Sequence, residues 1–99
     1  MTDYINNAQQ RVLKALTMLA GHEVDGLAPG ELAKALRTSA SNVTRDMANL
    51  REAGLAEVRE NQRWALTPRM AHMALAVLRH LDTAKCAVDE AQKRYTRDR

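Results

Sequence analysis

The sequence predicts a mainly α-helical fold with one small β-hairpin, and three observations support this. Apolar side chains recur at helical spacing through most of the chain, whereas alternation with a period of two is confined to the segment from Leu55 to Leu66. Phe is absent, so aliphatic side chains and five Met must fill the interior, which favours packing of helices over a large sheet. The 99 residues suffice for one small hydrophobic core.

The first helix is predicted from about Asp3 to Ala20. Thr2 or Asp3 would cap it, and Gly21 would end it. Its apolar residues form one stripe, which consists of Ile5, Ala8, Val12, Leu16 and Leu19. Residues 22–25, which are polar except for Val24, then form an exposed connection to the next element.

A short second helix is predicted to begin at Pro29. Proline suits a first turn, because it lacks only an N–H group that would be unpaired there. The buried face of this helix would consist of Leu32, Ala33 and Leu36. A tight turn then leads to Ser39, whose hydroxyl can cap a third helix by accepting a backbone N–H two or three residues further on.

The third helix, from Ala40 to Ala53, has two distinct faces. The inward row consists of Val43, Met47 and Leu50, which lie along one stripe at 3.6 residues per turn. The outward row is polar and consists of Ser41, Asn42, Thr44, Arg45 and Asn49. Such side chains can bond to base edges and phosphates, which is the chemistry of a recognition helix in the DNA major groove. Gly54 is placed to end the helix in a left-handed conformation.

The segment from Leu55 to Leu66 is predicted as a hairpin. Inward and outward residues alternate in each half: Ala56 and Val58 with Glu57 and Arg59, then Trp64 and Leu66 with Arg63 and Ala65. Glu60, Asn61 and Gln62 form the tip. The alternation directs Trp64 to the underside, where it would pack on the core, with contact to DNA or a partner as the alternative. Arg59 and Arg63 would meet the DNA backbone or minor groove, or form a solvated edge that discourages strand pairing.

Helix, helix, turn, helix and hairpin in this order predict a winged helix-turn-helix over residues 1–67. This part of the chain resembles the winged-helix domains of the MarR and IclR families of bacterial transcription regulators. The shared residues are Gly26, Leu27, Glu31, Leu32, Ala33 and Leu36, then Ser41, Val43, Thr44, Arg45, Leu50, Gly54 and Leu55, and finally Arg63, Leu66 and Thr67. The resemblance implies that Ser41, Thr44 and Arg45 face DNA and that Arg63 lies on the wing. The wing tip is short and no room remains for an IclR-type effector domain, so we expect no small-molecule effector.

A long helix is predicted to complete the chain over residues 68–99, opened by Thr67 and Pro68. Apolar residues recur in it at spacings of four and three, which is a heptad pattern: Met70, Ala74, Val77, Leu81, Ala84, Val88, Ala91 and Tyr95. We expect dimerisation through Val77, Leu81, Ala84, Val88, Ala91 and Tyr95. The alternative is a monomer whose helix folds back on its own domain, because Ala-rich seams bury little area.

Composition argues against several other classes of protein. A single Cys excludes an intrachain disulfide framework, and no secretory signal is recognisable, so a cytoplasmic protein is expected. No apolar stretch approaches the ~20 residues of a bilayer-spanning helix. His72 and His80 are more than two helical turns apart, and the sequence has no glycine-rich phosphate loop. We therefore expect no metal, no cofactor and no enzymatic activity.

The predicted function is a sequence-specific, double-stranded DNA-binding transcription regulator, a compact repressor that acts as a homodimer. The net charge of +3 permits a polyanionic partner, although 15 basic against 12 acidic residues is also compatible with an ordinary solvated surface. The expected DNA-binding residues are Lys34, Arg37, Ser39, Ser41, Asn42, Thr44, Arg45, Asn49, Arg59, Asn61, Gln62 and Arg63. The alternative is a winged-helix protein-interaction module, which should expose apolar anchors where this helix is polar.

Overall fold

A computed structural model describes residues 4–97 of the chain. The elements are α1 (Asn7–Leu19), α2 (Pro29–Leu36), α3 (Ala40–Glu52), β1 (Ala56–Val58), β2 (Trp64–Leu66) and α4 (Pro68–Thr96). The chain divides into two compact units between Arg69 and Met70. The predicted mainly α fold with one hairpin and a long last helix is confirmed.

The first helix begins later than the sequence predicts. Asn6 caps it, because its Oδ1 accepts the Gln9 N–H at 3.0 Å. Ile5 lies before the helix and is 58% exposed, so its assignment to the buried stripe is wrong. Ala8 is also exposed, and the buried residues of α1 are Ala15 and Leu19. The predicted caps at positions 2 and 3 lie outside the described residues.

The hydrophobic core lies between α1, α2, α3 and the hairpin. Its buried residues are Ala15, Leu19, Leu32, Val43, Met47, Leu50 and Ala56. The inward row of α3, which consists of Val43, Met47 and Leu50, is at most 3% exposed and is confirmed. Full burial of each such side chain contributes about 1.5 to 3 kcal/mol. The third helix is therefore held on the core along its whole length.

The ends of α2 and α3 follow from their capping groups. The Ala28 N–H donates to Glu31 Oε1 at 2.8 Å at the start of α2. Ser39 Oγ accepts the Asn42 N–H at 3.2 Å, which confirms the predicted cap of α3. The helix ends at Glu52 and the backbone turns at Gly54, whose φ of +78° is the predicted left-handed conformation.

Strand β2 pairs with a second segment, at Leu27, that the sequence did not reveal. Its register pairs Ala56 with Leu66 and Val58 with Trp64. On the other edge of β2, Leu27 and Trp64 exchange two backbone hydrogen bonds of 2.8 Å. Gly26 is required there, because a Cβ would lie 2.9 Å from the Trp64 carbonyl oxygen and φ is +70°. Strand β2 is thus flanked on both edges.

The position of Ala65 also corrects the sequence analysis. We expected it on the outward face of the hairpin, but it is completely buried, whereas Trp64 and Leu66 are partly buried against the core. Simple alternation fails because residues on both faces of this strand are at least partly buried. The predicted packing of Trp64 on the core is confirmed.

The last helix, α4, contains 29 residues, none of which is buried in the single chain. Large apolar side chains remain exposed along it, including Val77, Leu81, Val88 and Tyr95. Among the residues described, no helix is both long and apolar enough to span a bilayer.

Candidate nucleic-acid interface

The outward side of α3 presents a polar face above a fully buried apolar row. Ser41, Thr44 and Arg45 are exposed, and we call these three residues the recognition face. The Thr44 hydroxyl donates to the Ala40 carbonyl at 3.0 Å, so its oxygen lone pairs remain available as acceptors. The recognition face combines hydroxyl groups with one guanidinium on a rigid helix.

The two asparagines of this helix are partly engaged. Asn42 is half-buried, and its Nδ2 donates to Thr38 Oγ1 at 2.8 Å. Asn49 Nδ2 donates to the Arg45 carbonyl at 2.8 Å. Each amide therefore retains its oxygen and one N–H for another partner. DNA contact by these two residues stays a prediction.

Three further predicted DNA contacts lie in the last turn of α2 and in the turn that follows it. Lys34 lies exposed in the last turn of α2, and Arg37 is exposed with a left-handed φ of 53°. The hydroxyl of Ser39 serves the helix cap. These residues lie near the start of α3 because they precede it closely in the sequence. Their contact with DNA stays a prediction.

The wing, which we define as residues 55–66, has a tightly bonded tip. The Arg59 carbonyl accepts the Gln62 N–H, and the Arg59 N–H donates to the Arg63 carbonyl, both at 2.9 Å. Asn61 Oδ1 accepts the Arg63 N–H at 3.1 Å, and Gln62 adopts a left-handed φ of 66°. These features describe a β-turn followed by a bulge. Glu60, Asn61 and Gln62 are all exposed.

The guanidinium groups of the two wing arginines form hydrogen bonds within the domain, which the sequence analysis did not anticipate. Arg63 Nε donates to the Asp25 carbonyl at 2.8 Å, while its Nη2 donates to the Gly26 carbonyl at 3.1 Å and to Glu31 Oε1 at 2.9 Å. Arg59 Nη1 donates to the Val24 carbonyl at 2.8 Å. Both guanidinium groups therefore tie the wing to the loop before α2.

Glu31 joins α2 to the wing through one carboxylate. The hydrogen bond from the Ala28 N–H, together with the nearby Arg63 guanidinium, holds the pKa of Glu31 below its ordinary value. Both partners favour the ionised carboxylate, so the group caps the helix and pairs with the wing in the same charge state.

The sequence analysis missed Asp46, a buried charged residue of the recognition helix. Asp46 is 2% exposed and accepts two hydrogen bonds from Arg11 of α1: Nε to Oδ2 at 2.5 Å and Nη2 to Oδ1 at 2.9 Å. The hydrogen bond to Asp46 raises the pKa of Arg11. Its spacing of three residues after Val43 and four before Leu50 signalled burial, but nothing local identified a partner 35 residues away.

Cavities adjoin α3 on two of its sides. One of about 490 Å³ is bordered by α2, α3 and the wing and is lined in part by Pro29, Met47 and Trp64. The other, of about 570 Å³, lies between α1 and α3. Within residues 4–97, no group of three His, Cys, Asp or Glu side chains is close enough together to hold a metal ion.

The predicted dimerisation residues lie on α4. Val77, Leu81, Val88 and Tyr95 are between 57% and 83% exposed. Ala84 is exposed and Ala91 half-buried. Their pairing with a second copy stays a prediction.

Comparison with known proteins identifies the fold. A family model described as a helix-turn-helix domain matches residues 5–59. Among solved structures, Staphylococcus aureus MepR bound to ethidium bromide is 23% identical over 89% of this chain and 65% of its own, with a TM-score of 0.52. MepR, a transcription regulator of the multidrug efflux pump MepA, is 24% identical over 91% and 67%, with a TM-score of 0.52. The MepR–DNA complex is 21% identical over 93% and 79%, with a TM-score of 0.53.

The chain thus spans 65% of the length of the first of these structures. At such identities the likeness establishes the fold, and the predicted winged helix-turn-helix is confirmed at that level. No curated protein sequence matches the chain.

Proposed function

The chain belongs to the helix-turn-helix domain family, and from this premise we propose that it is a sequence-specific, double-stranded DNA-binding transcription regulator that acts as a homodimer. The observation that carries the proposal is the recognition face of Ser41, Thr44 and Arg45, exposed on a helix whose opposite row is buried. A helix of this kind fits the major groove, which is about 12 Å wide.

Each residue of the recognition face has chemistry suited to DNA. The Ser41 hydroxyl can donate to or accept from a base edge and can donate to a phosphate. The Thr44 hydroxyl, whose proton is donated to the Ala40 carbonyl, can accept from the amino group of cytosine or adenine, and its methyl can contact the thymine methyl. Arg45 can bind the O6 and N7 atoms of guanine, or a phosphate. The solved complex of the structural relative MepR with DNA supports the same use of this fold.

A homodimer would place two recognition helices in successive major grooves, about 34 to 36 Å apart. The exposed apolar residues Leu81 and Val88 of α4 support pairing with a second copy. A dimer that covers its site excludes other proteins from it sterically, so we propose repression as its mode of action.

The second candidate is a winged-helix protein-interaction module that reads no bases. The wing supports it, because the guanidinium groups of Arg59 and Arg63 are already engaged by the loop before α2. The polar recognition face argues against it, since protein hot spots are enriched in aromatic anchors.

Selection of bound DNA from a random pool by the full chain tests the proposal. A discrete enriched sequence is expected, and Arg45→Ala should weaken binding to it by about 1 to 3 kcal/mol. Lys14→Ala is the matched control, because Lys14 is an exposed cation of α1 outside the predicted interface. Failure to enrich any sequence, or equal binding by the two variants, would contradict base reading.

A further inference from the structure

We infer that the buried ion pair between Arg11 and Asp46 is a positioning device for DNA recognition: it sets the orientation of α3 relative to α1. The inference rests on the proposed function for its consequence in DNA binding, but the orientation itself can be measured without DNA.

The first step concerns geometry. Both Asp46 oxygens accept hydrogen bonds from one guanidinium, and the two bonds are 2.5 Å and 2.9 Å long. Such a two-point contact is planar and directional, so it constrains both the rotation and the axial position of the helix that carries the carboxylate. The side chain of Asp46 is only 3% exposed, and that of Arg11 only 19%.

The second step concerns what else holds α3. Val43, Met47 and Leu50 anchor it through apolar burial, which is strong but non-directional. A small rotation about the helix axis would preserve much of that burial. Yet the same rotation would move Arg45, the immediate neighbour of Asp46, relative to any bound base. Productive geometry at a binding site is needed to within about 0.5 Å.

The third step concerns energy. A buried ion pair contributes little to stability compared with well-packed apolar residues, because desolvation offsets the attraction between the charges. The pair therefore has more to contribute to orientation than to stability. Arg45 and Asn49 line the cavity between α1 and α3 together with Asp46. A rotation of α3 that displaces Asp46 therefore also displaces these two predicted DNA-contacting side chains.

The test replaces both partners with apolar residues, Arg11→Met with Asp46→Leu, which avoids an unpaired buried charge. Lys14→Met is the control, because Lys14 lies about one turn along the same helix and is exposed. Three properties are measured: unfolding in urea, the orientation of α3 from residual dipolar couplings without DNA, and affinities for the selected site and for random DNA.

We expect the urea midpoint of the double variant to equal or exceed that of the parent, and we expect its couplings in α3 no longer to fit the parent orientation. Its affinity for the selected site should fall at least about tenfold, the loss of one base contact. Affinity for random DNA should stay within about twofold, since phosphate contacts dominate there.

Parent-like couplings in the double variant, or parent-like affinity for the selected site, would overturn the inference and leave the pair with a structural role only. A parent protein that does not distinguish selected from random DNA would instead refute the proposed function. In that case the couplings alone decide whether the pair orients α3.

Discussion

At the scale of single residues, backbone strain marks two positions in turns. Arg37 after α2 and Gln62 at the wing tip have positive φ angles of 53° and 66°, although neither is glycine. The left-handed conformation costs an ordinary L-residue roughly 1 to 2 kcal/mol. Gln62 ends the hydrogen-bonded turn that closes the wing, so the hydrogen bonds of this turn offset the conformational cost at Gln62.

Gln62→Gly should therefore stabilise the protein by up to about 1 kcal/mol, because glycine adopts positive φ without the clash of a Cβ. Equilibrium unfolding in urea measures the change. Glu60→Gly is the control, since Glu60 lies on the same tip without a positive φ and should gain nothing. A loss of stability in both variants would show that strain at Gln62 is negligible.

Glu31 should give folding a defined dependence on pH. Its folded pKa lies below the ordinary value of 4.5, so the folded state favours the ionised carboxylate. The stabilisation is present above about pH 4.5 and is lost as the pH falls through the lowered folded pKa.

Denaturation curves between pH 7 and pH 3 should therefore show parent stability converging on that of Glu31→Gln at the acid end. Glu60→Gln serves as the reference, because Glu60 is exposed at the wing tip. If the stability gap between the parent and Glu31→Gln stays constant across this range, the carboxylate does not act as described.

At the scale of elements, the wing is fixed to the body of the domain by polar contacts as well as by its strands. Arg63 spans the loop before α2 and the first turn of α2, and Leu27 pairs with Trp64 beside it. The direction of the wing thus depends on α2 and its preceding loop. The hairpin bonds alone do not determine it.

Arg63→Ala should lower stability by about 1.5 to 3 kcal/mol, because three acceptors lose a charged donor. The logarithmic salt slope of DNA binding should stay unchanged, since each lost phosphate contact would reduce it by about 0.9. Arg45→Ala offers the comparison, because Arg45 is exposed and predicted to contact DNA. A reduced slope in Arg63→Ala would contradict this expectation and would show that Arg63 contacts a phosphate.

At the scale of the whole molecule, the exposed apolar side chains of α4 have consequences for assembly. Leu81 and Val88 are 57% and 64% exposed and occupy equivalent heptad positions. In a homodimer each would lie at a position repeated in the partner, so an introduced charge acts in both copies. Assembly and DNA affinity should therefore change together.

Leu81→Glu combined with Val88→Glu should give a folded monomer that binds the selected site far more weakly, since the second half-site is no longer tethered. Sedimentation at tens of micromolar measures the assembly state. Thr83→Glu with Cys86→Glu is the control, because both residues are exposed and lie off the seam. A monomeric parent would refute dimerisation, and a dimer that survives the change would exclude this seam.

Local sequence determined most of the elements and the face that each of them buries. Val43, Met47 and Leu50 predicted the inward side of α3, and Ser39 and Gly54 predicted its ends. Each of these signals acts within one or two helical turns, where backbone geometry alone fixes which side chains share a face. The prediction of where α1 begins was less accurate, because the sequence offers several capping residues in succession. Asn6 caps the helix, whereas we expected Thr2 or Asp3.

Only the tertiary structure decided which polar groups meet. Asp46 pairs with Arg11 across 35 positions of sequence, and Arg63 reaches Glu31 across 32. Periodicity assigned Asp46 no partner and left Arg63 exposed, because it describes one element at a time. Partners across elements depend on how the apolar faces pack, and a buried charge persists only where that packing supplies its counterpart.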